Sequence, residues 1–185
     1  MKNISSILFL LLVAMFSHTA TAQIEHHNVK VGDFDELVVQ DHINVKYVKD
    51  ATRAGQVTFN STKKAADCLI FQLKKGQLKI EVSEDLLEAN KETAPELTVY
   101  SSDLHWCEND GDSTLVISSP IKRDEFGAHL TANGRIVVKS VDVERLRLNV
   151  VTGKGHITAT GKCKRLKAHV LGTATIDAVN VKAQD

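Results

Sequence analysis

The densest group of chemically capable side chains in the chain is Asp103-Leu104-His105-Trp106-Cys107-Glu108-Asn109-Asp110-Gly111-Asp112. On an extended strand alternate residues share a face, so Asp103, His105 and Cys107 could offer oxygen, nitrogen and sulfur to one metal ion. The carboxylates that follow would suit calcium. An acidic run ending in glycine is equally the composition of a solvated turn, with Leu104 and Trp106 filling the end of a core. The reading therefore assigns no metal and no cofactor, and keeps Asp103, His105 and Cys107 as the only residues to inspect for one. A Cys-His nucleophilic pair has no third group or oxyanion donor beside it. Trp106, the only tryptophan, is the candidate binding residue, because on an exposed face its ring could stack on a sugar. No nucleophile elbow, phosphate-binding glycine loop, HExxH or paired CxxC occurs, and the expectation is a protein that is not an enzyme.

The elements that must position these residues are written as a repeat. Three units follow one another at a spacing of 20 residues: FGAHLTANGRIVVKSVDVER from Phe126, LRLNVVTGKGHITATGKCKR from Leu146 and LKAHVLGTATIDAVNVKAQD from Leu166. Each opens with alternating apolar residues (Phe126, Ala128, Leu130; Leu146, Leu148, Val150; Leu166, Ala168, Val170). A cluster of small residues follows, and a second β-rich run begins at Ile136, Ile157 or Ile176. A unit of this length cannot bury its apolar face alone and does so against its neighbour. The expected fold is all-β, a short parallel β-solenoid with coils of about 20 residues, its strands about 4.8 Å apart. In that register His129, Asn149 and His169 form one outward ladder, and Gly127, Arg147 and Lys167 another. Two histidines with one rung between them stand about 9.6 Å apart, too far for a shared tetrahedral ion. Asp103–Ser119 reads as a degenerate coil, with 22 residues from Leu104 to Phe126.

The preceding segment is richer in hairpins. Leu69, Phe71 and Leu73 alternate, Lys74-Lys75-Gly76-Gln77 turns, and Leu78, Ile80 and Val82 alternate back, with glycine where a two-residue hairpin loop wants positive φ. Ser61–Asp67 fits a single helical turn, and Ser83–Thr93 either a helix capped by Ser83 or an exposed loop. Gln23–Val31, with His26-His27, reads as a mobile polar terminus. The hairpin-rich half is expected to cover the first coil, and the carboxyl end to be blunted by turns and charge or to self-associate.

Residues 1–22 have the composition of a secretory signal peptide: Lys2, an apolar run over Ile7–Phe16, and Ala20-Thr21-Ala22 before Gln23. What remains is one expected domain, 23–185, with strands and a hairpin over 23–100 and repeat coils over 101–185. No later segment is apolar enough to span a membrane. Export would leave the protein periplasmic, on the outer surface or secreted. Lys and Arg number 23 and Asp and Glu 23, with no basic stripe, so nucleic acid is not expected as a partner. Cys68, Cys107 and Cys163 allow at most one disulfide and read best as small buried side chains.

The order of a secretory signal, "FDELVVQDHINVKYVKD", a hairpin ending "GQLKIEV", "ELTVYSS", and turns "TANGRI", "VTGKGHI" and "LGTATI" resembles the head GIN domain family of auto-transporter adhesin-like proteins. Members are common among exported proteins of Bacteroidetes-like bacteria. The resemblance covers the whole chain after residue 22, although the family's Ser-Gly-Ser-Gly turns are here Ala-Asn-Gly, Gly-Lys-Gly and Gly-Thr-Ala. It implies an adhesin-like or envelope-scaffolding module with an unidentified cell-surface or envelope partner, a glycan or a protein. The alternative is a carbohydrate-binding or carbohydrate-active β-helix, which would need a groove lined by aromatic and acidic residues.

Overall fold

The computed structural model describes residues 23–183; the expected signal peptide lies outside the described residues. Thirteen strands join in one curled, mostly parallel sheet. They are β1 (Glu25–Lys30), β2 (Glu36–Gln40), β3 (Val45–Lys49), β4 (Gln56–Ser61), β5 (Leu69–Lys74), β6 (Gln77–Val82), β7 (Leu97–Ser101), β8 (Trp106–Asp110), β9 (Thr114–Ile117), β10 (Ile121–Leu130), β11 (Arg135–Val150), β12 (His156–Val170) and β13 (Thr175–Ala183).

The sheet has two arms with the core between them. One carries β5, β6, β2, β8, β10 and the second halves of β11 and β12; the other carries β1, β4, β7, β3, β9, the first halves of β11 and β12, and β13. β11 crosses between arms at a register shift between Val138 and Val141. Phe126 pairs with Leu146 and Leu146 with Leu166, the 20-residue register written in the repeat. Ile136 pairs with Ile157 and Ile157 with Ile176 on the other arm. The apolar column Leu78, Leu37, Cys107, Ala128, Leu148 runs up the interior with every member fully buried. The small side chains of Cys107 and Ala128 in its middle are flanked by leucines on both sides. Each buried leucine stabilises by roughly 1.5–3 kcal/mol.

The turns stack as well. His156 N–H donates to Gly134 O and Thr175 N–H to Gly155 O, one rung each. This close approach is why small residues recur there: a Cβ on Gly155 would lie 2.8 Å from Gly134 O, and one on Gly134 would lie 2.3 Å from Gly111 O.

Several expectations need correction. The 23–100 half does contain the hairpin β5–β6, turned by Lys75 and Gly76 at positive φ, but it also supplies rungs of the stack. β2 is inserted between β6 and β8, and β3 between β7 and β9, all parallel. Covering is done by the antiparallel strands β5 on one arm and β4–β1 on the other. Glu25–Lys30 is therefore no mobile terminus; it pairs along β4, and His27 stacks on Phe59 with ring centroids 4.9 Å apart. The coil from β8 is set back 21 residues from β10, Trp106 facing Gly127, so Leu104 and Phe126 are not partners. Glu84–Asn90 is helical, although Ser83 makes no side-chain cap bond. Lys63–Ala66 is the expected helical turn, capped by Thr62.

Candidate binding groove

The alternation that would place Asp103, His105 and Cys107 on one face is broken. Leu104 and Cys107 are both fully buried, and His105 and Trp106 lie outside between them. β8 begins at Trp106, and at its entry His105 N–H donates to Asp35 O and Gly127 N–H to His105 O. Cys107 faces the core, and burial pushes its thiol far up, away from the thiolate a metal or a nucleophile requires. Asp103 turns the other way and pairs with Lys49 (2.8 Å) and Arg123 (2.9 Å). The structure does not bring the three residues together. All three cysteines are free and buried.

Trp106 is also outside, where the core-filling reading did not put it. Its column on the outer face runs Gln77, Glu36, Trp106, Gly127, Arg147, Lys167. Gly127 leaves a gap in that column, and the tryptophan covers it: a Cβ on Gly127 would lie 2.2 Å from Trp106 Cε3 and 2.3 Å from Cζ3. His129, in the next column, meets the indole edge-on with centroids 5.6 Å apart. The rest of the gap is an open groove of about 800 Å³ lined by Glu36, His105, Trp106, Arg123, Asp124, Glu125, Gly127 and Arg147.

Its polar groups are held in place. Glu125 accepts from Arg145 Nε at 2.9 Å and from Arg147 at 2.5 Å, and these bonds, that of Arg145 first, hold its carboxyl below the usual range. Gln77 donates to Glu36 Oε2 at 2.7 Å. His105 sits with Nε2 3.2 Å from Glu36 and Nδ1 3.1 Å from Asp35; the second contact is not aligned as a hydrogen bond and leaves Nδ1 without a partner. The groove can thus present a fixed aromatic surface with carboxylates and guanidiniums beside it.

The model for the family described as "Putative auto-transporter adhesin, head GIN domain" matches residues 33–185. The chain belongs to that family. No curated protein matches it. Among solved structures, it is similar to a "putative adhesin" from Bacteroides fragilis with a TM-score of 0.76 at 15% identity, covering 88% of this chain and 74% of that one. A "putative lipid binding protein" from Parabacteroides distasonis gives 0.67 at 17% identity, covering 88% and 76%. A "putative adhesin" from the same species gives 0.66 at 16%, covering 86% and 75%. At these identities the likeness of the head GIN chain to its neighbours shows the fold alone.

Of the groove residues, sequence reasoning singled out Trp106 and His105. It missed Glu36, Arg123, Asp124 and Glu125, which come from two strands, β2 and β10, far apart in the chain. A signal was present in the outward ladder Gly127, Arg147, Lys167, where the glycine marks a missing side chain.

Proposed function

We propose that this head GIN chain is an exported, non-enzymatic binding module of adhesin-like kind, which contacts a cell-surface or envelope partner through the outer face of the arm that carries β8 and β10. The curled stack is read here as a short parallel β-solenoid, a rigid rod whose side chains stand in columns. The observation that carries the reading is the position of Trp106: the only tryptophan lies outside, on the floor of an open groove. Glu125, held ionised between two arginines, suits fixed recognition better than proton transfer. Family membership supports an exported, surface-acting protein, and a neighbour's name adds lipid as a ligand class to include. The test is binding of the purified protein to envelope preparations of a Bacteroidetes bacterium. Trp106→Ala should weaken it about tenfold, while Lys46→Ala on the other arm should leave it unchanged. Equal loss in both, or in neither, would contradict the proposal.

Self-association has one specific observation in its favour. On the last described rung Leu166, Val170 and Leu171 are 37%, 40% and 49% exposed. Arg165 and Lys167 on the same rung oppose a symmetric pairing of two such edges. A second copy would approach with its β5 edge, where Ile70 and Leu73 are exposed. Sedimentation velocity checks this: Leu166→Lys should dissociate any oligomer, and a monomer at all concentrations would remove the pairing.

A further inference from the structure

We infer that the groove over Gly127 is a glycan site that stacks a neutral pyranose on Trp106. The inference rests on the binding reading above and names its ligand class. Three features of the groove converge on it.

The first is a preorganised aromatic surface. Backbone fixes the ring from beneath, since there is no side chain at Gly127 to hold it off, and His129 fixes its edge. The indole therefore lines the groove in one orientation and spends little conformational entropy on binding. The C–H face of a pyranose is the flat apolar partner for such a ring, and its hydroxyls radiate around the rim.

The second is the chemistry of that rim. Glu36, Asp124 and Glu125 supply acceptors, and Arg123 and Arg147 supply forks of N–H donors. Both guanidiniums are already compensated inside the protein: Arg147 by Glu125 and Arg123 by Asp103. A phosphate or a uronate would have to displace these carboxylates and would face Glu36 and Asp124. A cation would meet both guanidiniums. A neutral ligand rich in hydroxyls bonds to donors and acceptors alike and disturbs neither pair.

The third is shape. The groove is open, and its volume of about 800 Å³ lies within the range of specific small-ligand sites. Its lining comes from the rungs of β2, β8, β10 and β11, so it runs along the stack and accepts a chain of sugars in preference to one buried ring.

The test is isothermal calorimetry of the purified protein against cellotetraose, maltotetraose, mannotetraose, xylotetraose and a tetragalacturonate. At least one neutral tetrasaccharide should bind saturably at millimolar concentration or below. Trp106→Ala should weaken that binding about tenfold, a loss matching aromatic stacking, and Trp106→Phe should restore most of it. Glu36→Gln should weaken it several-fold. No heat with any neutral sugar, tighter binding of the uronate, or an unaffected Trp106→Ala protein would overturn the inference. Repeating the envelope assay after periodate oxidation separates the two proposals. Envelope binding that needs Trp106 yet survives periodate keeps the binding module and overturns the glycan; binding indifferent to Trp106 overturns both.

Discussion

Trp106 covers the α-carbon of Gly127, its Cε3 standing 2.2 Å from where a methyl group on that residue would be. The contact ties a strand register to a surface chemistry. Only the pairing of β8 with β10 set back by 21 residues puts these two residues opposite one another.

Gly127→Ala should therefore displace the indole without unfolding the rung. The expected cost is about 1–3 kcal/mol, the usual effect of overpacking, read by urea denaturation. Because the chain has a single tryptophan, its emission maximum reports the displacement directly. Unchanged emission together with unchanged stability would show that the ring does not lie there.

Leu148 and Leu166 both occupy apolar positions of the repeat, the second of one unit and the first of the next, and sit in different surroundings. Leu148 is enclosed between Ala128 and Ala168, whereas Leu166 is 37% exposed on the last described rung. Leu148→Ala should cost about 2–5 kcal/mol and Leu166→Ala clearly less. Equal losses in chemical denaturation would contradict the described burial.

His42 joins the turn after β2 to the helix Glu84–Asn90 by a hydrogen bond to Glu84, with Asp112 3.8 Å from its other nitrogen. The bond to Glu84 first, helped by the charges of Glu84, Asp112 and Asp41, outweighs an opposing desolvation and raises its pKa above 6.5. A pKa raised on folding contributes stability that is complete below the unfolded value and fades as pH climbs through the folded one. Amide exchange in Glu84–Asn90 should accelerate across that window in the native protein and show no such step in His42→Gln. An NMR titration placing His42 at or below 6.5 would contradict the contact.

Tyr47 is fully buried, its hydroxyl 3.1 Å from Ser101 Oγ. Burial pushes its pKa up to about 12 from 10. The folded state then holds the phenol neutral while the unfolded chain ionises, so stability falls as pH rises from about 10 to about 12. Tyr47→Phe should flatten that part of the stability profile at the expense of the Ser101 bond. A phenol titrating near 10 in the folded protein would refute the burial.

The repeat from Phe126 to Lys182 was legible because every rung there restates the same apolar positions, and the pairings Phe126–Leu146–Leu166 follow that register. The rungs made by β2 with β3 and by β6 with β7 were not. Strands of five or six residues carry alternation but no mark of their partner, and the chain inserts them out of sequence order. The sequence left Trp106 open between a core end and an exposed face for a local reason: two outward residues between Leu104 and Cys107 break the period of two from which a side would be read. The groove escaped notice because it arises from a side chain that is absent at Gly127 and from residues gathered across rungs.

Hydrogen–deuterium exchange of the protein, free and bound to isolated envelope fragments, tests the proposed contact face most directly. The account predicts added protection in the peptides holding Glu36, His105 to Glu108, Arg123 to Gly127 and Arg147. Protection confined to β1, β4 and β7 on the opposite arm would contradict it.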